Sequence, residues 1–175
     1  SLCKPGEFGA YLRMAVEKSL ERIHTNYFDL LMLHNPDSLG YTHPAVWQGM
    51  EALKKEGLTH LLGIAPGPAN GFTLDLIDAF EKFGSLIDWA MVILSPLESW
   101  PASLILPAAQ KNNVKVMARV VDCGGLFHDT VKPGLKLSKE DHRAFRPAGW
   151  IEAAEEKLKR CRLIAKRHEI TLLEL

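Results

Sequence analysis

Phe28-Asp29-Leu30-Leu31-Met32-Leu33, closed by His34-Asn35-Pro36-Asp37, is the stretch that decides the fold. The run is strand-sized, apolar at every position but Asp29, and stopped by polar residues around a proline. A strand with one wet face alternates polar and apolar residues. A nearly continuous apolar run reads instead as a strand covered on both faces, as in a parallel sheet. Phe28–Leu33 is therefore expected to be a parallel strand buried on both faces, with His34 at its C-terminal mouth.

Working upstream, Tyr11, Leu12, Met14, Ala15, Val16, Leu20 and Ile23 recur at spacings of three and four, which predicts an amphipathic helix over Tyr11–Ile23. Downstream, Val46, Trp47, Met50 and Leu53 share one face of a helix over Pro44–Glu56, and Gly57 stands where a left-handed C′ residue belongs. Strand Thr59–Ala65 follows, stopped by Pro66-Gly67-Pro68. Helix Thr73–Phe83 is ended by Gly84, and strand Trp89–Leu94 stops at Ser95-Pro96. Helix Ser103–Asn112 leads to strand Val114–Val121, which stops at Asp122-Cys123-Gly124-Gly125. The segment from Gly124 to Pro147 reads as one long ordered loop. Ile151–His168 reads as a long helix with a charged, solvated face, and Ile170–Leu175 as the start of another helix.

Strand centres fall near Leu31, Leu62, Val92 and Met117, so each interval is the size of one βα unit. Strict alternation calls for parallel strands with right-handed crossovers, in one α/β domain over residues 1–175. A doubly wound dinucleotide fold would show G-x-G-x-x-G after its first strand, and no such run and no P-loop is present. The polar and glycine residues His34, Asn35, Asp37, Ser95, Arg119, Asp122, Gly124 and Gly125 cluster at or near strand ends. That is where a (β/α)8 TIM-type barrel carries its chemistry.

The 175 residues hold 21 Lys+Arg against 21 Asp+Glu, a formal net charge of +0, which argues against a nucleic-acid surface or a basic membrane patch. No apolar run approaches the roughly 18 residues of a membrane span. Cys3, Cys123 and Cys161 are odd in number and far apart, without CxxC spacing, so a reducing, cytoplasmic setting is expected. Neither end carries the pattern of a signal peptide or a domain terminus, and the chain is expected to be cut at both ends. Four parallel strands leave open edges, which predicts a homo-oligomer or poor solubility for such a chain alone.

Two side chains attract attention on chemical grounds. An imidazole at a strand mouth can donate a hydrogen bond to a carbonyl oxygen and polarise it, or can simply cap the strand end. Arg119 is a charge inside an apolar strand and needs a partner, either a ligand or an acid such as Asp122. His34, Asp37 and His43 are the nearest thing to a metal set, but two prolines interrupt them, and no metal is expected. Asp141 and His142, like His128 and Asp129, read as solvated loop residues.

Three stretches together resemble the aldo-keto reductase family. Ser19-Leu20-Glu21-Arg22-Ile23 running into Tyr27–Asp37 is similar to its helix-to-strand signature. Trp47–Gly57 with Leu62-Gly63-Ile64 is similar to its next helix and strand. Val116-Met117-Ala118-Arg119-Val120 with Gly124-Gly125-Leu126 is similar to its seventh strand and the loop over the cofactor. The resemblance implies a partial (β/α)8 barrel, from the end of the third strand to before the eighth. It implies NADPH-dependent reduction of a small-molecule aldehyde or ketone. His34 would meet the carbonyl oxygen, and Lys4 would lower the pKa of a tyrosine proton donor lying upstream. Arg119 would contact the nicotinamide, and the amides of Gly124, Gly125 and Leu126 the diphosphate. The family commonly holds the carboxamide with Ser-Asn and Gln; Ala65, Pro66 and Met91 stand here instead. That departure supports an alternative, a non-catalytic barrel that binds a ligand or partner at the same mouth.

Overall fold

The computed structural model describes residues 3–67, 70–128 and 130–175. Pro68 in the expected strand stop, Asp129 in the loop and Leu2 before Cys3 lie outside the described residues. Helix α1 (Phe8–Ile23) leads into strand β1 (Phe28–His34), and helices α2 (Ser38–Thr42) and α3 (Pro44–Lys55) connect to β2 (Thr59–Ala65). Helix α4 (Thr73–Phe83) joins β2 to β3 (Trp89–Ile93), and α5 (Ala102–Lys111) joins β3 to β4 (Lys115–Arg119). A loop with 3-10 turns at Leu126–His128 and His142–Phe145 then reaches α6 (Trp150–Arg167). The strands form a single sheet in the order β1-β2-β3-β4, with β1 parallel to β2 and β2 parallel to β3. A doubly wound sheet reverses its order at a switch point; the order here never reverses, as in TIM-type units. No described helix is long and apolar enough to cross a membrane.

The chain divides into two compact units, Ser1–Val92 with Trp100–Ala118, and Ile93–Ser99 with Arg119–Leu175. In the first, Leu31 pairs with Leu62, Leu33 with Ile64, and Ile64 with Ala90. Leu62, Ile64 and Ala90 are fully buried, and Leu31 packs on Val16, Leu20 and Leu53 of α1 and α3. This face of the sheet is therefore the one under the helices. Alternation sends Leu30, Met32 and His34, with Leu61, Gly63 and Ala65, to the other face. Beneath the helices, Trp47, Met50, Leu53, Leu76 and Phe80 complete the core. In the second unit, Leu126, Phe127 and Val131 of the loop pack with Ile151, Leu158 and Ala165 of α6.

Two expectations are corrected, and one helix is added. No residue of β1 is fully buried, and Asp29 and His34 are exposed. The strand is the sheet edge, with a partner on one side only among the described residues, whereas the fully flanked β2 buries five of its seven residues. An apolar run reports what a strand would bury, not which neighbours it meets. Ile170–Leu175 forms a single turn rather than a helix: Thr171 N and Oγ1 both donate to Glu174 Oε2 at 2.8 Å, closing a local loop. The added helix is α2, five residues and too short for periodicity to mark. Its one sequence signal is Asp37, whose Oδ1 accepts from Gly40 N at 2.8 Å as the N-cap.

Gly57 behaves as its position predicts, with φ +79° and Leu58 N donating to Leu53 O at 3.0 Å. A Cβ there would meet nothing within 4 Å, so the cost of one is backbone strain alone. Gly57→Ala should therefore lower stability by about 1 kcal/mol. Urea denaturation reads this directly, and an unchanged midpoint would contradict it.

Candidate functional site

His34 ends β1 with an exposed side chain and pairs in register with Ala65 on β2. The next residue, Asn35, turns out of the strand at φ +47°, and its N–H donates to Ala65 O at 2.8 Å. The imidazole and Ala65 thus stand side by side at the C-terminal end of the sheet, on the face away from the helices. Gly63 pairs with Trp89, so alternation brings Met91 to this face too. Three positions singled out by the family pattern, His34, Ala65 and Met91, come together in this way. His34 also lines a cavity of about 250 Å³ walled by α1 and β1, with Tyr11 and Met32, and by Met50 of α3.

Just past β2, Gly67 N donates to Tyr41 Oη at 3.3 Å, and Tyr41 stacks on Phe72. Burial pushes the Tyr41 phenol above its ordinary pKa. His43 serves as the N-cap of α3: Nδ1 accepts from Ala45 N at 3.2 Å, and the ring edge packs on Phe8. With Asp37 capping α2 and His43 capping α3, both have structural work. Among the described residues no group of three or more His, Cys, Asp or Glu is placed to hold a metal ion.

Lys4 is exposed and heads the 3-10 turn Pro5–Glu7, its N–H donating to Glu7 Oε2 at 2.8 Å. Among the described residues no hydrogen bond or ion pair joins it to His34. Its neighbour Cys3 lines a cavity of about 220 Å³ with Leu33, Asn35 and Asp37, so the turn lies beside the loop after β1.

In the second unit, Arg119 ends β4 half-buried, its carbonyl accepting from Leu94 N at 3.4 Å. Beyond it, Val120, Cys123, Gly124 and Gly125 all have positive φ, the glycines at +70° and +93°. These turns aim two amides at one carboxylate. Gly124 N donates to Asp122 Oδ1 and Gly125 N to Asp122 Oδ2, both at 3.1 Å. Buried Leu126 and Phe127 anchor the loop from below. Arg143 clamps it from the side, with Nη1 donating to Gly124 O at 3.0 Å and Nε and Nη2 to the Asp141 carboxylate at 2.9 and 2.6 Å. The guanidinium holds the Asp141 carboxyl well below the usual carboxylate range. Asp141 is thus a loop fastener rather than a solvated residue, and no pattern in the sequence announced Arg143 as its partner. Cys123 is buried, with Sγ 2.9 Å from Ser95 Oγ, and burial pushes its thiol pKa up, so it packs rather than reacts.

A dinucleotide cofactor asks for anion donors at its diphosphate and hydrogen-bonding groups at its carboxamide. The donor set after β4 fits the first: two glycine amides already hold an oxyanion, the Asp122 carboxylate. The end of β2 and strand β3 offer less to the second, because the side chains of Ala65 and Pro66 cannot hydrogen-bond and the Met91 thioether is only a weak acceptor.

The model of a family described as the aldo/keto reductase family matches residues 6–175. An uncharacterized oxidoreductase YqkF of Bacillus subtilis is 32% identical over 127 residues, covering 71% of this chain and 37% of the relative. The glycerol dehydrogenase AKR11B4 from Gluconobacter oxydans superposes with a TM-score of 0.75 at 23% identity, over 94% of this chain and 49% of that one. The aldo-keto reductase AKR11C1 from Bacillus halodurans, in its holo form, gives 0.60 at 26% identity, over 73% and 42%. An aldo/keto reductase from Klebsiella pneumoniae in complex with NADP and acetate gives 0.60 at 19%, over 93% and 47%. The chain thus spans half or less of the length of these relatives.

Proposed function

Because the chain belongs to the aldo/keto reductase family, a family of oxidoreductases, we propose that it is part of an NADPH-dependent enzyme that reduces an aldehyde or ketone to an alcohol. The observation that carries this reading is the exposed imidazole of His34, in register with Ala65 at the C-terminal end of the sheet. That is the rim where barrel enzymes place their chemistry. In this reading His34 donates a hydrogen bond to the substrate carbonyl oxygen. Lys4 lends positive charge to a tyrosine proton donor contributed from upstream. Arg119 lays its guanidinium plane on the cofactor ring. Gly124, Gly125 and Leu126 turn backbone amides to the diphosphate. NADPH, when bound, supplies the hydride.

The residues at Ala65, Pro66 and Met91 favour a second reading, a barrel that binds at this mouth without catalysis. Titrating the intact protein with NADPH and following the coenzyme's fluorescence separates the two. The reductase reading expects saturable binding, weakened about tenfold by Arg119→Ala through loss of a stacked cation. Absence of NADPH binding in the wild-type protein would leave the non-catalytic reading.

A further inference from the structure

We propose that Asp122 is a built-in competitor for the diphosphate cradle, so that a ligand's phosphates bind there only as its carboxylate turns away. The inference rests on the cofactor reading above, which gives Gly124 and Gly125 to a diphosphate. Each amide is already spent: one oxygen of Asp122 accepts from Gly124 and the other from Gly125. A phosphate oxygen arriving at the same donors would displace these bonds and meet a like charge at close range.

The cradle does not depend on Asp122 for its orientation. Across a trans peptide, C=O and N–H point in opposite directions. Arg143 Nη1 on Gly124 O therefore fixes the plane that aims the Gly125 N–H. Thr130 Oγ1 donates to Gly125 O at 3.1 Å, and Phe127 N donates to the backbone oxygen of Asp122 at 3.1 Å. Leu126 and Phe127 are buried below. Arg143 is occupied by Asp141 and by Gly124 O, so it neutralises Asp122 only from a distance. Removing the Asp122 charge should thus leave two aligned donors and no resident anion.

The test compares the wild type with Asp122→Asn and Asp122→Ser in the intact protein, two neutral replacements that retain a short polar side chain. Fluorescence titration gives the NADPH affinity. Amide NMR gives the response of Gly124 and Gly125 to inorganic pyrophosphate, independent of turnover. Both variants should bind NADPH about tenfold more tightly, the order expected for removing one nearby like charge. Pyrophosphate should move the two glycine amides at lower concentration than in the wild type. If NADPH binds all three proteins equally, the competitor role is overturned while the cofactor reading stands. If NADPH binds none of them, yet pyrophosphate moves the amides more readily in the variants, the competitor role stands and the cofactor reading falls. If pyrophosphate acts equally or more weakly on both variants, the inference is overturned.

Discussion

His34→Ala should lower kcat for aldehyde reduction by the intact protein about 10²–10³-fold while leaving NADPH affinity nearly unchanged. The argument starts from where β1 puts the side chain. His34 is exposed at the strand's C-terminal end, on the sheet face turned away from the helices, with Ala65 as its register partner. In the reductase reading, a donor there meets the substrate oxygen, whose negative charge grows only in the transition state. Such a donor stabilises the transition state more than bound substrate, so its loss appears in kcat rather than in KM. Removing one donor of this kind raises a barrier by about 2.7–4 kcal/mol. Steady-state kinetics over a range of aldehyde, beside an NADPH titration, make the measurement. Full activity in the variant would remove His34 from the chemistry. A loss of NADPH binding with kcat intact would reassign it to the cofactor.

Trp47→Ala should cost about 3–5 kcal/mol of stability, a large fraction of the 5–15 kcal/mol of an ordinary domain. Trp47 has no exposed surface, stacks on Phe83 with ring centroids 5.6 Å apart, and donates from Nε1 to Tyr41 O at 2.8 Å. The substitution removes the ring, leaves a cavity between α3 and α4, and frees a buried carbonyl. The same contact serves the candidate site, because Tyr41 in turn holds Gly67 just beyond the end of β2. Trp47→Phe should recover most of the loss, keeping a ring but not the hydrogen bond, and should remain about 1 kcal/mol down from that bond. Urea denaturation of the three proteins measures both steps. A loss below 1 kcal/mol for Trp47→Ala would mean that α3 and α4 close over the gap, and the site would not feel the change.

How much of this was legible beforehand depends on the range of the physics involved. Strand β2 and helix α4 have the bounds that periodicity predicts, Thr59–Ala65 and Thr73–Phe83, because side-chain alternation and the 3.6-residue repeat act within a few residues. His34 was visible as a candidate for the same reason: a polar residue closing an apolar run must stand at a strand end. The sequence by itself determined the four strands and the five longer helices in their order, though not the short α2, together with the parallel direction that alternation demands and the mouth where polar residues gather. Tertiary structure alone decided that β1 is a half-exposed edge, that His34 stands beside Ala65 thirty-one residues on, and that Arg143 reaches back nineteen residues to Gly124. It alone also decided that the glycine amides close on Asp122, through four positive φ angles that residue types only permit. Local sequence sets what a segment buries and how it bends, whereas burial, register and the partner of a charge are set by neighbours that arrive only when distant segments pack.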